Sequence, residues 1–158
     1  FKMKTYNILS IDEFKTNIGN NSRLLGIDPG NKNIGFAICD ENKKVATPLK
    51  IIEKTKFEIL INEIIQIIKE NNIKGIIIGN PINMDGTLGK SSQSANDFAK
   101  KISKNVTIPI SMWDERLSSE ASFKITKELG TNVTNRIDKL DKNAAAFILQ
   151  GAIDYLSN

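Results

Sequence analysis

The fold is decided by the stretch Arg23-Leu24-Leu25-Gly26-Ile27-Asp28-Pro29-Gly30, in which an apolar run is closed by an acid and a Pro-Gly turn. Such a run predicts a buried strand, and the turn residues end it. Two further strands are predicted over residues 33–39 and 44–50, separated by a polar turn. Because the connections are short, the three strands are expected to form an antiparallel meander.

After the meander, the pattern changes to an alternation of helices and strands. Residues 57–68 carry apolar side chains at the spacing of an amphipathic helix. Residues 73–79 form an apolar run typical of a strand covered on both faces. The remaining predictions are a helix over 91–103, a strand over 106–113, a helix over 117–129 and a helix over 141–156. This order predicts an α/β fold with a mixed five-stranded sheet and helices on both faces.

Length and composition restrict the possible function classes. The 158 residues predict one domain over residues 23–158, preceded by a polar extension over residues 1–22. The chain has no histidine and one cysteine, which excludes histidine-based triads and histidine- or multi-cysteine-ligated metal sites. The net charge of +4 is compatible with a polyanionic partner. The sequence shows neither a membrane span nor a secretory signal, which predicts a cytoplasmic protein.

Carboxylates from distant positions are the candidate catalytic groups. Asp28 ends the first strand, where open sheets place their sites, although an acid before Pro-Gly also serves as a turn former. Asp141 heads the apolar stripe of the last helix and is expected to face the edge of the sheet, unless it only complements the helix dipole. Asp114 and Glu115 follow the fifth strand and point in opposite directions, so one of them is expected to face the same edge. Three such acids suit Mg²⁺ or Mn²⁺, which can support phosphodiester hydrolysis.

Several basic and polar residues are predicted to contact nucleic acid. Lys90 and Ser91 follow a Gly-containing loop at the start of a helix, which offers a cation and backbone donors to a phosphate. A full P-loop pattern fails, because position 84 is Met. Arg116 either pairs with a neighbouring acid or binds a phosphate. Other basic residues adjoin the acidic edge, with a solvated surface as the alternative for each: Lys124, Arg136, Lys139 and Lys142.

Four segments of the sequence together resemble the motifs of the YqgF (RuvX) family. They are residues 26–37, 77–87, 114–121 and 141–150, and they occur in the family's order. The resemblance implies an RNase H-like fold related to the Holliday-junction resolvases. It also implies a nuclease that matures the 5′ end of pre-16S ribosomal RNA.

The resemblance also assigns roles to individual residues. It implies that Asp28, Glu115 and Asp141 are catalytic, with Asp114 as a further candidate. RNase H-like nucleases generally carry an acid near the end of the fourth strand, but here that strand ends in Gly79-Asn80-Pro81. The acids after the fifth strand would then have to replace it, and Asn80 is predicted to bind a phosphate or a water.

The leading hypothesis is therefore a metal-dependent nuclease, either monomeric or homodimeric. Its expected partner is pre-16S rRNA, in preference to four-way DNA. The precursor of the small ribosomal subunit is a further candidate partner. Two alternatives stay open on the same fold: a Holliday junction resolvase, which would act as a dimer, and a non-catalytic nucleic-acid-binding module. The Asp28-x-Gly30 pattern also resembles the first phosphate motif of actin-like ATPases, but the chain lacks the second such motif.

Overall fold

The structure, a computed structural model, describes residues 7–117 and 144–157. Its strands are β1 (Ile8–Leu9), β2 (Arg23–Pro29), β3 (Asn33–Cys39), β4 (Ala46–Glu53), β5 (Ile73–Asn80) and β6 (Ile110–Asp114). Its helices are α1 (Ile11–Ile18), α2 (Phe57–Glu70), α3 (Lys90–Ser103) and α4 (Ala144–Leu156). Another helix begins at Glu115, directly after β6, and is described as far as residue 117.

The strands form one mixed sheet in the order β1-β6-β5-β2-β3-β4. Strands β2, β3 and β4 make the predicted antiparallel meander, whereas β5 and β6 run parallel to β2. The α/β architecture is confirmed, but the predicted count of five strands is wrong by one. The additional strand is β1, which pairs in parallel with β6 at the edge of the sheet. Because β2, β5 and β6 are neighbours that point the same way, their carboxyl ends meet at one edge.

The segment before β2 packs on the sheet. Helix α1 begins with a capping box between Ser10 and Glu13, and it buries Phe14 and Ile18. A Cβ atom on Gly75 would lie 2.6 Å from Cζ of Phe14, so the missing side chain in β5 makes room for that ring. Residues 7–18 thus add both a strand and core side chains to the fold.

The core has two parts, one on each face of the sheet. One face packs against α1 and α4 and includes Leu24 and Ile77, while the other packs against α2 and α3 and includes Leu25. Helices on both faces are therefore confirmed. A Cβ atom on Gly26 would lie 2.7 Å from Cβ of Leu149, so this glycine lets α4 approach β2 closely. Within residues 7–117 and 144–157, no helix is long and apolar enough to cross a membrane.

Candidate active site

Asp28 lies at the carboxyl end of β2, on the face covered by α4. Side chains alternate along a strand, so Leu24, Gly26 and Asp28 face the same way. Partial burial raises the pKa of the Asp28 carboxyl above its usual value. The turn that follows needs a glycine, because a Cβ atom on Gly30 would lie 2.4 Å from the carbonyl oxygen of Asn33. The turn thus directs the chain away from Asp28 within a few residues.

Glu115 is held next to Asp28 by a glycine in β5. In the β2–β5 ladder Ile27 pairs with Ile78, which brings Gly79 level with Asp28. A Cβ atom on Gly79 would lie 3.2 Å from both Cγ and Cδ of Glu115. Cδ1 of Ile148 would lie nearer still, at 2.5 Å, so the side chains of Glu115 and Ile148 together fill the space that a side chain at position 79 would occupy.

The two acids interact electrostatically. Burial, together with the negative charges of Asp28 and then Asp114, raises the pKa of Glu115 to about 7. Partly desolvated carboxylates that repel each other are stabilised by a cation placed between them. Their oxygen atoms are the hard donors that divalent ions such as Mg²⁺ prefer, so the pair fits such an ion.

The third predicted ligand, Asp141, lies outside the described residues, as do Arg136 and Lys142. Within the described part of the chain, no three acidic or cysteine side chains cluster closely enough to hold a metal. The structure thus brings together two of the three predicted ligands, and the third stays a prediction.

Asp114 has a different environment from Glu115. Its Oδ1 accepts a hydrogen bond from the backbone N–H of Arg116 at 3.0 Å, as expected for a residue that caps the following helix. Its Oδ2 pairs with Nη2 of Arg116 at 2.7 Å. Hydrogen bonding from the Arg116 side chain lowers the pKa of Asp114. Of the two alternatives for Arg116, the structure shows pairing with the neighbouring acid.

Arg116 also contacts the loop between β5 and α3. Its Nη1 donates to the carbonyl oxygen of Asn83 at 3.5 Å. The loop is closed on itself, because Thr87 donates to Asp85 through its N–H at 2.9 Å and its hydroxyl at 2.6 Å, and Asn83 N donates to Thr87 O at 3.0 Å. Arg116 thus connects this loop to the strand end that precedes Glu115.

Asn80 and the start of α3 are joined by a buried residue that the sequence does not single out. The Ser92 hydroxyl is fully buried and donates to Oδ1 of Asn80 at 2.6 Å. This bond fixes the Asn80 side chain at the end of β5. Lys90 and Ser91 lie exposed in the first turn of α3. Ser92 gives no local signal, because its partner lies in another element.

Comparison with known proteins identifies the family. A family model described as "RuvX: Holliday junction resolvase" matches residues 22–155. The chain belongs to this family. A RuvX-family relative from Pelagibacter ubique (strain HTCC1062) is 52% identical over 151 residues, which cover 96% of this chain and 100% of the relative. One from Ruegeria pomeroyi (strain ATCC 700808 / DSM 15171 / DSS-3) is 40% identical and covers 94% and 97%, respectively. Both relatives carry the name "Putative pre-16S rRNA nuclease".

Solved structures of resolvases share the fold of this RuvX-family chain. Yeast mitochondrial Holliday junction resolvase Ydc2 superposes with a TM-score of 0.52 at 12% identity, covering 93% of this chain and 84% of the other. T. thermophilus RuvC, solved in complex with a Holliday junction substrate, gives a TM-score of 0.50 at 10% identity, with coverages of 86% and 91%. At these identities the likeness concerns the fold alone, and it confirms the expected resolvase-like fold. Nucleases of this kind generally use divalent metal ions.

Proposed function

We propose that this RuvX-family protein is a metal-dependent nuclease that hydrolyses phosphodiester bonds during maturation of the 5′ end of pre-16S rRNA. The observation that carries the proposal is the electrostatic repulsion between Asp28 and Glu115, two acids at the carboxyl edge of the sheet. Two acids that are remote in the sequence and repel each other cost stability, and a binding role explains why they are brought together. The names of the relatives support the substrate.

In this proposal, Asp28 and Glu115 hold Mg²⁺ or Mn²⁺, with Asp141 as a third ligand. Support for Asp141 comes from α4, which starts three residues later in the sequence and packs tightly on β2. The carbonyl oxygen of Ala145 lies 3.1 Å from the position of a Cβ atom on Gly26. When bound, the ion would polarise the phosphodiester and lower the pKa of an attacking water.

The neighbouring polar residues are assigned three tasks. Lys90 and Ser91 are exposed, which leaves them accessible to a phosphate of the substrate. Arg116, in contrast, is engaged by Asp114, so its proposed role is to hold the loop between β5 and α3 next to the site. Asn80 is proposed to orient a phosphate or a water from its position at the end of β5. The roles of Arg136 and Lys142 in binding nucleic acid stay predictions.

The direct test is cleavage of an RNA that mimics the 5′ end of the precursor. We expect cleavage that requires Mg²⁺ or Mn²⁺, is abolished in Asp28→Asn and is strongly reduced in Glu115→Gln. A matched control is Glu41→Gln, since Glu41 is an exposed acid in the turn between β3 and β4. Metal-dependent cleavage that survives Asp28→Asn would refute the assignment of the site.

The family description favours one alternative, cleavage of four-way DNA junctions. The same carboxylates would serve both reactions, so substrate preference has to be measured side by side on RNA and on a junction. A resolvase should also be a dimer when bound to the junction, since two symmetric nicks are required. RNA binding without cleavage by the wild-type protein would favour a non-catalytic module.

A further inference from the structure

A groove of about 470 Å³ lies between the start of α2 and the outer face of α3, on the opposite face of the sheet from Glu115. Its walls include two aromatic rings, Phe57 and Phe98, which meet edge to face with their centroids 6.3 Å apart. Both rings are partly exposed. The groove therefore presents partly exposed aromatic surface between its polar side chains.

The rim of this groove is basic. Lys54, Lys90 and Lys101 line it, with Asp97 as the one acid among the lining residues. No carboxylate of the described residues pairs with these three lysines. The Nζ atom of Lys101 lies over a ring, 5.7 Å from the centroid of Phe57. The groove thus presents three ammonium groups that form no ion pair with the described residues, beside aromatic surface.

The groove has a neighbouring depression on the side of the turn that follows Asp28. A second depression, of about 410 Å³, is lined by residues 31–33, Glu53 and Lys54. Lys54 lines both depressions, and its backbone N–H donates to the carbonyl oxygen of Lys32 at 2.8 Å. Residues 31–33 follow directly on the turn that Asp28 begins. The two depressions share Lys54 and together form a path from the turn after Asp28 to α3.

We propose that this path binds the single strand of nucleic acid that leads away from the cleaved bond. The lysines would contact successive phosphates, and the aromatic surface would contact sugars or bases, which is how sequence-tolerant single-strand sites are built. Lys90, already a candidate from the sequence, lies on this path. The proposal adds five further nucleic-acid-binding residues: Lys32, Lys54, Phe57, Phe98 and Lys101. The inference rests on the proposed function for the identity of the substrate but not for the binding itself.

The test measures binding of a fluorescent single-stranded RNA to the full chain carrying Asp28→Asn, which keeps the RNA intact. In this background Lys54→Ala and Lys101→Ala are combined. The matched control combines Lys69→Ala and Lys74→Ala, which removes the same charge from two other exposed positions. Lys69 lies in the last turn of α2, as Lys101 does in α3, and Lys74 lies at the opposite end of β5 from Asn80.

We expect the first pair to weaken RNA binding and to reduce the slope of log affinity against log salt by about 1.4, that is, by about 0.7 for each phosphate that a lysine no longer neutralises. The control pair should leave that slope unchanged. Equal slopes for both pairs would overturn the proposal, as would a preference for duplex over single-stranded RNA. Parallel titrations with single-stranded DNA of the same sequence show whether the path selects RNA.

The outcome is separable from that of the cleavage assay. If the wild type cleaves no substrate but the salt slope falls only in the Lys54/Lys101 variant, the groove stands and the nuclease proposal fails. If the wild type cleaves RNA and this variant binds as the control does, the groove proposal fails and the nuclease stands. Melting curves of both double variants establish that each is folded.

Discussion

Replacing Glu115 by Gln is expected to stabilise the metal-free protein while it strongly reduces the proposed activity. The pKa of Glu115 in the folded chain is about 7, against an ordinary value of 4.5. Because the folded state holds the proton more tightly than the unfolded state, the ionised acid destabilises the fold. This penalty is absent below pH 4.5, grows as the pH rises from 4.5 to 7, and is complete above pH 7. Gln has nearly the same shape and never ionises.

The size of the effect follows from the two pKa values. The difference between 7 and 4.5 corresponds to at most about 3.4 kcal/mol in the free energy of unfolding. Glu115 is only partly buried, and screening by solvent reduces this to roughly 1–2 kcal/mol. For a chain of this length, the melting temperature at pH 8 should rise by roughly 2–8 °C in Glu115→Gln.

The assay is thermal or urea unfolding in EDTA at pH 4 and at pH 8, with Glu41→Gln as the exposed control. At pH 4 the wild type and Glu115→Gln should be equally stable, since both carry a neutral side chain. Adding Mg²⁺ at pH 8 should then narrow the gap, because the ion stabilises the ionised wild-type site. A gap of the same size at both pH values would refute the reasoning, since it would have a cause other than ionisation.

Three further substitutions test the packing around the site. Gly79→Ala should lower the affinity for the metal and the rate of RNA cleavage, because its methyl group would lie 2.5 Å from Cδ1 of Ile148 and 3.2 Å from the Glu115 side chain and would displace both. Calorimetric titration with Mn²⁺ that matches the wild type would contradict this. Gly26→Ala should reduce the free energy of unfolding by about 1–3 kcal/mol in urea titrations, because the new Cβ atom would overlap Cβ of Leu149. Asp114→Asn keeps the helix cap but removes the ion pair with Arg116, so its rate of RNA cleavage should stay well above that of Glu115→Gln. Equal losses of cleavage rate in the two variants would show that both acids bind the metal.

The elements that could be predicted are those whose burial leaves a local pattern. Strands β2 and β5 are covered on both faces and therefore appear as apolar runs, and α2 shows its buried stripe in its periodicity. The apolar pattern places the start of β6 at residue 106, whereas the strand begins at Ile110. The N–H of Val106 donates to Ile102 O at 3.2 Å, as in a helix, and the carbonyl oxygens of Val106 and Ile108 accept from the Asn7 side chain. The hydrogen-bond partners of residues 106–108 are therefore Asn7, which is remote in the sequence, and the preceding helix. The apolar pattern carries no information about them, so it places the start of the strand too early.

The site was only partly predictable for the same reason. Asp28 could be singled out because it ends a strand, which is a local feature. Local sequence does not decide between Asp114 and Glu115, and only the family resemblance favours Glu115. The difference depends on Gly79, which leaves space for one acid, and on Arg116, which binds the other. Strand β1 escapes prediction because two residues carry no periodicity.

The way the sheet ends at its two margins bears on self-association. One margin is β1, which is only two residues long, and the other is β4, which contains Pro48 and an irregular register opposite Phe36 and Ala37. Short edge strands, prolines and bulges all make poor templates for strand addition by a second chain. Intermolecular pairing along the sheet, the usual route to amyloid-like aggregation, is therefore disfavoured at both margins.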